Sequence, residues 1–521
     1  MGLILIITLI VFVTISLSIL AWMITKRYTA SKTKFFYNKT PFNEKIRDLF
    51  RTKIPKYSPA LFLANNFLKF ILSLKTDVKY EQYYNRKVFF YKDGGVASLE
   101  FYPKDYEPEI KSDKVMTLDE YRSNLKANSA PILLKTVAKT PLSEPLGENK
   151  VRDEENPLDD VLDGDKLVSG GKEDEDIGEG YKLQKGPTRA KTYLAKGLEH
   201  NTQTGIGNKK TGRMQIKRRK KKGKNNSKRG KNENTGYSKD TIVLFVPGLL
   251  SHSASKIVYR TVKSISKMLG GKIPIALLFK RGFNNLPITG RMPFSYANTS
   301  DFDEIIQYFK FEHKFKNIFL VGNSLGALTI QYYIGKKGSL GQDTHLSAAV
   351  CVSSPFDFRG STSKIDRQKL IRNGILYQIK LLITEKYENE KEFKELLKEK
   401  KIEYERVKDA KSAMDLNHLF NAKANGFNTS DEFFKEFCAN TYVDKISIPA
   451  FFLNSKKDPL VRIEDVKKKV NPYEMNKNIF QVIVEDGGHI EYPTTLCCKI
   501  WSTYCTSAFI NLILESKEKG S

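Results

Sequence analysis

The chain has 521 residues, of which 40% are hydrophobic, and its 32 phenylalanines and 25 tyrosines suffice for one large domain or for two or three smaller ones. Its formal net charge of +28 indicates an anionic partner, unless the charge is concentrated in one tract. The five cysteines are odd in number and lack metal-ligand spacing, which argues against a disulfide framework and against a cysteine-based metal site.

The first predicted element is a transmembrane helix over residues 3–24, which read LILIITLIVFVTISLSILAWMI. This uncharged run is long enough to cross a hydrocarbon core of about 30 Å. A cleaved signal peptide is the alternative, but the run is longer than a typical signal core, no basic residues precede it and no small-residue cleavage site follows. We therefore predict a retained single-pass anchor.

Two segments follow the predicted anchor. Residues 25–56 are basic and are interpreted as a juxtamembrane linker, lying either against anionic headgroups or in solvent. Residues 57–102 are predicted to be the first part of a folded domain, because KVFFYKDGGVASLEFY at 87–102 indicates a β-hairpin around Asp93-Gly94-Gly95.

Residues 103–240 differ from both flanks in composition. An acidic tract is followed by the basic stretch KRRKKKGKNNSKRGKNEN, and apolar residues are few. Such blocks of single-sign charge predict a disordered low-complexity insert. Residues 217–222 resemble a nucleic-acid patch, but no aromatic residues interleave with the charges, so we do not expect nucleic-acid binding.

From 241 to 515 the sequence alternates between short apolar runs and helical stretches. The predicted strands are TIVLFVP, PIALLFK, NIFLV, SAAVCVS, PAFFLNS and IFQVIVE. This alternation predicts an α/β core with a mostly parallel sheet and helices on both faces. Charged helical sequence at 363–429 interrupts the pattern. We predict a lid there, with Leu376, Leu381 and Leu382 lining an acyl site; the alternative is a solvated helical excursion.

Ser324 lies in VGNSLG, directly after a predicted strand and directly before a predicted helix. This setting is typical of a nucleophile elbow, in which Gly322 and Gly326 allow the backbone to turn tightly. The helix that follows offers backbone N–H groups to developing negative charge. Leu325 N–H, together with Leu249 N–H from the loop after the first core strand, is the predicted oxyanion hole.

A serine nucleophile needs a base and an acid that orients the base. We predict His489, in the glycine-rich loop EDGGHIEY, as the base, with His252 as the rival. Asp458, in NSKKDPL just after a strand, is the predicted acid, and Asp357 is the second option. The order Ser324, Asp458, His489 is the one that α/β-hydrolases use.

The chain resembles the membrane-anchored AB hydrolase 4 family of lipid esterases on several motifs together. They are the oxyanion loop VPGLL, the loop LFKRGFNNLPITG, the elbow VGNSLGA, the acid loop NSKKDP and the histidine loop GGHIEY. The resemblance implies the same three catalytic residues, an α/β-hydrolase fold, hydrolysis of lipid acyl esters through an acyl-enzyme, and no cofactor or metal. The chain departs from the family at Phe67–Phe70, where a histidine-leucine-glutamine-threonine motif is usual, and in its long insert.

The sequence therefore predicts a membrane-anchored serine hydrolase that cleaves monoacylglycerols, phospholipids or medium-chain esters. The alternatives are an acyltransferase using the same acyl-enzyme and a non-catalytic receptor or scaffold. The anchor places the protein in the endoplasmic reticulum, another endomembrane or the plasma membrane. TKRYTASKTK, after the anchor, favours a cytosolic domain by the positive-inside rule, whereas the family is often described with the domain on the other side.

Overall fold

A computed structural model describes most of the chain outside the long insert. The described residues are 12–18, 20, 32–58, 82–108, 113–126, 236–290, 292, 298–466, 472–494 and 499–519. Most of the predicted anchor (3–24) and of the predicted insert (103–240), together with Phe67–Phe70, lies outside these ranges.

Ten strands form the central sheet of the described residues. They are β1 (Thr33–Tyr37), β2 (Asn85–Phe90), β3 (Val96–Tyr102), β4 (Val115–Thr117), β5 (Thr241–Val246), β6 (Ile275–Phe279), β7 (Asn317–Asn323), β8 (Ala348–Val352), β9 (Ala450–Ser455) and β10 (Ile479–Val484). Their order across the sheet is β1-β10-β9-β8-β7-β5-β6-β3-β2-β4. The six strands from β10 to β6 run parallel, and the strands at both edges are antiparallel to their neighbours. The predicted mostly parallel sheet is confirmed.

Helices cover both faces of the sheet and fill the connection between β8 and β9. They are α1 (Pro41–Thr52), α2 (Leu118–Lys126), α3 (Lys256–Met268), α4 (Ser300–Gln307), α5 (Leu325–Ser339), α6 (Phe358–Asp366), α7 (Lys369–Asn389), α8 (Lys391–Glu399), α9 (Tyr404–Asp409), α10 (Ala413–Leu416), α11 (Ser430–Glu436), α12 (Pro472–Met475) and α13 (Trp501–Glu518). Two π-helical turns, Tyr308–Glu312 and Asn417–Ala422, extend α4 and α10. Turns of 3₁₀ helix span Ala439–Lys445 and Ile463–Val466, and a short hairpin pairs β11 (Pro493–Thr494) with β12 (Lys499–Ile500).

The continuous apolar strand sequences follow from burial on both faces. In β5, Ile242 and Leu244 pack into the core on one side of the sheet, whereas Val243 and Phe245 pack into the core on the other. A strand covered by helices on both faces has no solvent-facing positions, so polar alternation is absent. All six residues of β5 are buried.

The juxtamembrane linker predicted at 25–56 is wrong for its described part. β1 pairs antiparallel with β10, and α1 packs Ile46 and Phe50 into the core. Thr40 caps α1 by accepting a hydrogen bond from Asn43 N, and Pro41 occupies the first helical turn. In the sequence, the basic charge of the segment favours a linker, although Thr40-Pro41 is a helix start signal.

The amino-terminal boundary of the predicted insert also needs correction. Composition predicts that it starts at residue 103, but β4 pairs with β2 at the edge of the sheet, and α2 follows β4 directly. Strand β4 has only three residues, which is too short for a periodicity that the sequence would reveal.

The described part of residues 3–24 includes a helical stretch over 12–18, with Phe12 and Leu17 exposed. Among the described residues, no helix combines the length and the apolar character that a membrane crossing requires.

Candidate active site

Ser324 occupies a strained turn between β7 and α5. Its backbone has φ of 54° and ψ of −121°, a conformation that non-glycine residues rarely adopt. The turn is tight: a Cβ on Gly322 would lie 2.8 Å from Ala327 N, and one on Gly326 would overlap the backbone carbonyl of Val246. The two glycines of the motif are therefore required by close backbone approach, as the sequence predicted for a nucleophile elbow.

The structure brings Ser324, His489 and Asp458 together in one hydrogen-bonded chain. Ser324 Oγ lies 2.8 Å from His489 Nε2, and His489 Nδ1 lies 2.7 Å from Asp458 Oδ2. The side chains of His489 and Asp458 are 2% and 0% exposed, so water is largely excluded from their contact. In this arrangement the imidazole can accept the serine proton while the carboxylate orients the ring.

The Asp458 carboxylate is held by its own loop. Its Oδ1 accepts hydrogen bonds from Leu460 N at 2.8 Å and Val461 N at 3.0 Å, which leaves Oδ2 for His489. Backbone N–H groups that donate to a carboxylate fix its orientation.

The histidine loop is held by a residue that sequence reasoning missed. Ser353, at the end of β8, has φ of 54° and accepts a hydrogen bond from Ile490 N at 3.1 Å, next to His489. Its Oγ also lies 3.0 Å from the Tyr492 hydroxyl. Ser455 Oγ donates to Gly487 O at 2.6 Å on the other side of the histidine. These contacts join residues distant in sequence, so no local motif signals them.

The predicted oxyanion loop packs directly against the nucleophile. A Cβ on Gly248 would lie 3.1 Å from Ser324 Cβ, so a larger residue there would press against the Ser324 side chain. Leu249 and Leu325, whose N–H groups are the predicted oxyanion donors, both line a cleft with about 310 Å³ of empty space. The remaining lining is mainly apolar and comprises Pro247, Gly248, Ser251, Leu278, Phe279, Lys280, Phe283 and Gly326.

Lys280 supplies the cationic group in the lining of this cleft. Its Nζ donates to Thr329 Oγ1 at 2.9 Å, and Thr329 Oγ1 donates in turn to Leu325 O. Burial lowers the pKa of Lys280 to about 7, partly opposed by the nearby Asp301 carboxylate. The amine is therefore much less often charged at neutral pH than an exposed lysine.

A buried polar cluster behind the oxyanion loop was also missed. Glu100 on β3 accepts a hydrogen bond from Asn284 Nδ2 at 2.6 Å, and Asn284 Oδ1 accepts from Ser253 N and Oγ at 3.0 and 2.9 Å. Arg86 Nε lies 3.3 Å from the Glu100 carboxylate. Burial raises the pKa of Glu100 to about 7, although Arg86 opposes the shift. The cluster ties the loop that carries Leu249 to the sheet.

Arg281 ties the neighbouring loop to two carboxylates. Its guanidinium is 2.6 Å from Asp93 Oδ2, in the first hairpin turn, and 2.7 Å from Asp301 Oδ1, in the first turn of α4. The guanidinium also stacks 4.3 Å from the centre of the Tyr91 ring. These contacts hold the loop after β6 in place beside the cleft.

The rival residues lie elsewhere. Asp357 caps α6 by accepting a hydrogen bond from Arg359 N at 2.9 Å. His252 lies in the loop between β5 and α3, where its carbonyl accepts a hydrogen bond from Ser255 N.

The predicted acyl-site leucines of the insertion divide into two groups. Leu376 is buried and Leu382 half-buried in a cluster that also contacts Leu249 and Leu250 of the oxyanion loop. Leu381 is 44% exposed and is not part of that cluster, so its assignment to the acyl site stays a prediction. The helical pattern alone did not distinguish the two faces of α7, because apolar residues occupy both.

No family model matches the chain, whereas several curated relatives do. The medium-chain fatty acid ethyl ester synthase/esterase 2 of Saccharomyces cerevisiae is 25% identical over 271 residues, which cover 48% of this chain and 58% of the relative. The phospholipase ABHD3 of Mus musculus is 25% identical over 289 residues, covering 53% of this chain and 64% of the relative. The chain thus spans about three-fifths of the length of these relatives.

Among solved structures, the chain is similar to the Pyrococcus furiosus esterase Pf2001. The TM-score is 0.32 at 16% sequence identity, and the match covers 53% of this chain and 84% of the esterase. The strand order and the strained turn at Ser324 are those of an α/β-hydrolase fold. The curated relatives that the chain is similar to thus include an ester synthase/esterase and a phospholipase of the ABHD family.

Proposed function

We propose that this chain is a carboxylic ester hydrolase that cleaves acyl esters of lipids through an acyl-enzyme on Ser324. The observation that carries the proposal is the hydrogen-bonded chain from Ser324 Oγ through His489 to Asp458. The strained backbone of Ser324 adds support, because strain of this kind is found at functional sites.

The first half of the reaction forms the acyl-enzyme. His489 Nε2 accepts the proton of Ser324 as its Oγ attacks the ester carbonyl, and Asp458 stabilises the imidazolium. The N–H groups of Leu249 and Leu325 donate to the oxyanion, each worth about 2.7–4 kcal/mol in the transition state. His489 then donates its proton to the departing alkoxide, and the alcohol leaves.

The second half releases the acid. His489 accepts a proton from water, the resulting hydroxide attacks the acyl carbonyl, and the proton passes to Ser324 Oγ as the acyl bond breaks. These steps use the chain's own residues and water, so the proposal requires no cofactor or metal.

The substrate class follows from the cleft and the relatives. The cleft beside Ser324 is lined by Leu278, Phe279, Phe283 and Leu325, which suits an acyl chain. One relative is named for medium-chain fatty acid ethyl esters and another as a phospholipase. Medium-chain esters, phospholipids and monoacylglycerols are therefore the proposed substrates.

Acyl transfer to an alcohol is the second candidate, since one relative is named both a synthase and an esterase. The same acyl-enzyme serves both reactions, and the competition between water and alcohol decides the product. Adding ethanol or glycerol to the assay and measuring new ester against free acid separates the two activities.

Membrane anchoring and topology belong to the proposal as well. Residues 3–24 would hold the enzyme in an endomembrane or in the plasma membrane, next to its lipid substrate. The acceptor motifs at Asn38 and Asn428 test the side of the membrane. Asn428 precedes α11 on the surface, so a glycan there in cells would place the domain on the non-cytosolic side, and an unmodified Asn428 is expected for a cytosolic domain.

The proposal is tested with a panel of lipid esters, assayed on the purified full chain and on Ser324→Ala. Removing the nucleophile leaves only the oxyanion hole and binding, so release of acid should fall by roughly a million-fold or to background. Folding of the variant is checked by circular dichroism. Equal activity of the two proteins would overturn the proposal, and inactivity of the wild type on every ester would favour a non-catalytic receptor or scaffold.

A further inference from the structure

Helix α7 carries apolar residues on two opposite faces. The inner face packs Leu376, Ile379 and Ile383 into a cluster that reaches Leu249 and Leu250 of the oxyanion loop. The inner face of α7 and the oxyanion loop therefore belong to the same apolar cluster.

The outer face of α7 exposes Leu370 by 73%, Tyr377 by 63% and Leu381 by 44%. Residues seven and eleven positions apart lie on the same side of an α-helix, so the three side chains form one stripe. Gly374 lies between them and leaves the space above the backbone open. Outside residues 12–20, these three are half of the six large apolar side chains that are exposed among the described residues.

The same end of the helix is cationic. Residues 364–381 contain five basic side chains and one carboxylate, Asp366, which is engaged by Ala413 N and Met414 N. The basic residues are Lys364, Arg367, Lys369, Arg372 and Lys380. Lys364 and Arg367 also line a surface depression with Arg462, Gln368 and Glu464. Acidic residues appear on α7 only from Glu385 onward.

An exposed apolar stripe flanked by basic side chains is the pattern of a helix that lies in a membrane interface. Basic residues gain free energy near an anionic lipid surface, and the apolar side chains enter the boundary between headgroups and acyl chains.

We propose that the outer face of α7, formed by Leu370, Tyr377 and Leu381 together with the exposed Arg367 and Lys369, docks on an anionic lipid bilayer. This inference rests on the proposed function and deepens it. The substrate ester would be drawn from the bilayer beside the cleft, because the inner face of the same helix contacts the oxyanion loop.

Fluorescence quenching tests the docking on the full chain. Tyr377→Trp is placed in a Trp22→Phe background, which leaves Trp501, 2% exposed, as the second indole. The protein is reconstituted into vesicles of brominated phosphatidylcholine, with or without phosphatidylserine. We expect the emission of the indole introduced at position 377 to be quenched and shifted to the blue, both effects being larger with phosphatidylserine.

Phe311→Trp in the same background is the matched control. Phe311 is 59% exposed and shortly precedes β7, so it lies at the edge of the sheet opposite the insertion. Equal quenching of the two introduced indoles would overturn the proposal. An emission shift at Tyr377→Trp that depends on protein concentration and not on lipid would also overturn it, in favour of a second copy of the chain.

Activity separates failure of docking from failure of the proposed function. Arg367→Gln with Lys369→Gln should lower hydrolysis of an ester embedded in anionic vesicles by roughly tenfold, since each cation contributes to binding an anionic surface. Hydrolysis of a soluble short-chain ester should not change. If the wild type and the double variant hydrolysed the vesicle-embedded ester at the same rate, docking would be contradicted and the proposed esterase activity would not. A wild type that is inactive on both substrates would contradict the proposed function.

Discussion

At the scale of single residues, the role of Asp458 can be separated from that of Asp357. Asp458→Asn keeps the acceptor for Leu460 N and Val461 N, but its amide would face His489 Nδ1 with a donor. The ring would then adopt the wrong tautomer, and we predict that kcat falls by roughly a thousand- to ten-thousand-fold. The measurement is steady-state hydrolysis of a soluble ester.

Asp357→Asn is the control for this substitution. Asparagine caps a helix about as well as aspartate, so the free energy of unfolding should hardly change. The kcat of the variant should stay within a factor of about two of the wild-type value. A loss of activity at Asp357→Asn that matched the loss at Asp458→Asn would contradict the assignment of the acid.

Glu100 predicts a pH dependence of stability. Its pKa is raised from 4.5 to about 7 in the folded protein, so the folded state binds this proton more tightly than the unfolded chain. The bound proton of Glu100 contributes a total of about 3 kcal/mol to the free energy of unfolding. This contribution is fully present below about pH 4.5 and is lost as the pH rises through about 7.

Glu100→Gln removes this titration and keeps an acceptor for Asn284. Urea unfolding between about pH 4.5 and 7.5 should therefore show the free energy of unfolding of the wild type falling relative to that of the variant. Parallel curves for the two proteins would refute the buried protonated carboxyl.

The three residues of the proposed triad are predictable because each follows a strand in a short motif. Ser324, Asp458 and His489 were named from such motifs, and the structure brings their side chains together. The sequence does not predict the roles of Glu100 and Ser353. Asn284, the partner of Glu100, and Ile490, the partner of Ser353, both lie more than a hundred residues away along the chain. Contacts that depend on tertiary packing leave no local pattern in the sequence.

At the scale of elements, the turn between β7 and α5 depends on the absence of side chains. A Cβ at Gly326 would overlap the carbonyls of Val246 and Pro247, which are backbone atoms and cannot rotate away. Gly326→Ala should therefore destabilise the fold by about 1–3 kcal/mol and displace Ser324. Thermal unfolding and hydrolysis of a soluble ester measure the two effects.

Gly374→Ala provides the comparison within a helix. No atom lies within 4 Å of a Cβ at this position in α7, so alanine should stabilise the protein by about 0.5–1 kcal/mol through helix propensity. If both variants changed stability alike, the overlap at Gly326 would not be the cause.

The elements that were predicted and missed differ in how much local signal they carry. Strands β5 to β10 are continuous apolar runs, and the sequence located each of them within two residues. The basic charge around β1 and α1 favours a linker in a prediction from composition, and β4 is only three residues long. Edge strands have fewer buried positions than central ones, so their pattern is weaker.

At the scale of the whole molecule, β1 and α1 extend the hydrolase core toward the amino terminus. The Phe50 ring packs against Phe35, Phe451, Phe480 and Trp501, which come from four other segments. Phe50→Ala should therefore lower the free energy of unfolding by about 3–5 kcal/mol. Chemical denaturation measures the change.

Lys53→Ala, at the exposed end of α1, is the matched control and should change stability by less than about 0.5 kcal/mol. A wild-type-like Phe50→Ala would mean that the segment is a linker after all.

The central claim, that Ser324 is an activated nucleophile, is tested most directly by covalent labelling. The folded full chain is treated with a fluorophosphonate, which phosphonylates serines activated by a neighbouring base, and the modified residue is located by peptide mass spectrometry. We predict one adduct, on the peptide that contains Ser324, and none on Ser324→Ala or on the heat-unfolded wild type. Folded wild type that remains unlabelled at Ser324, or Ser324→Ala labelled to the same extent, would contradict it.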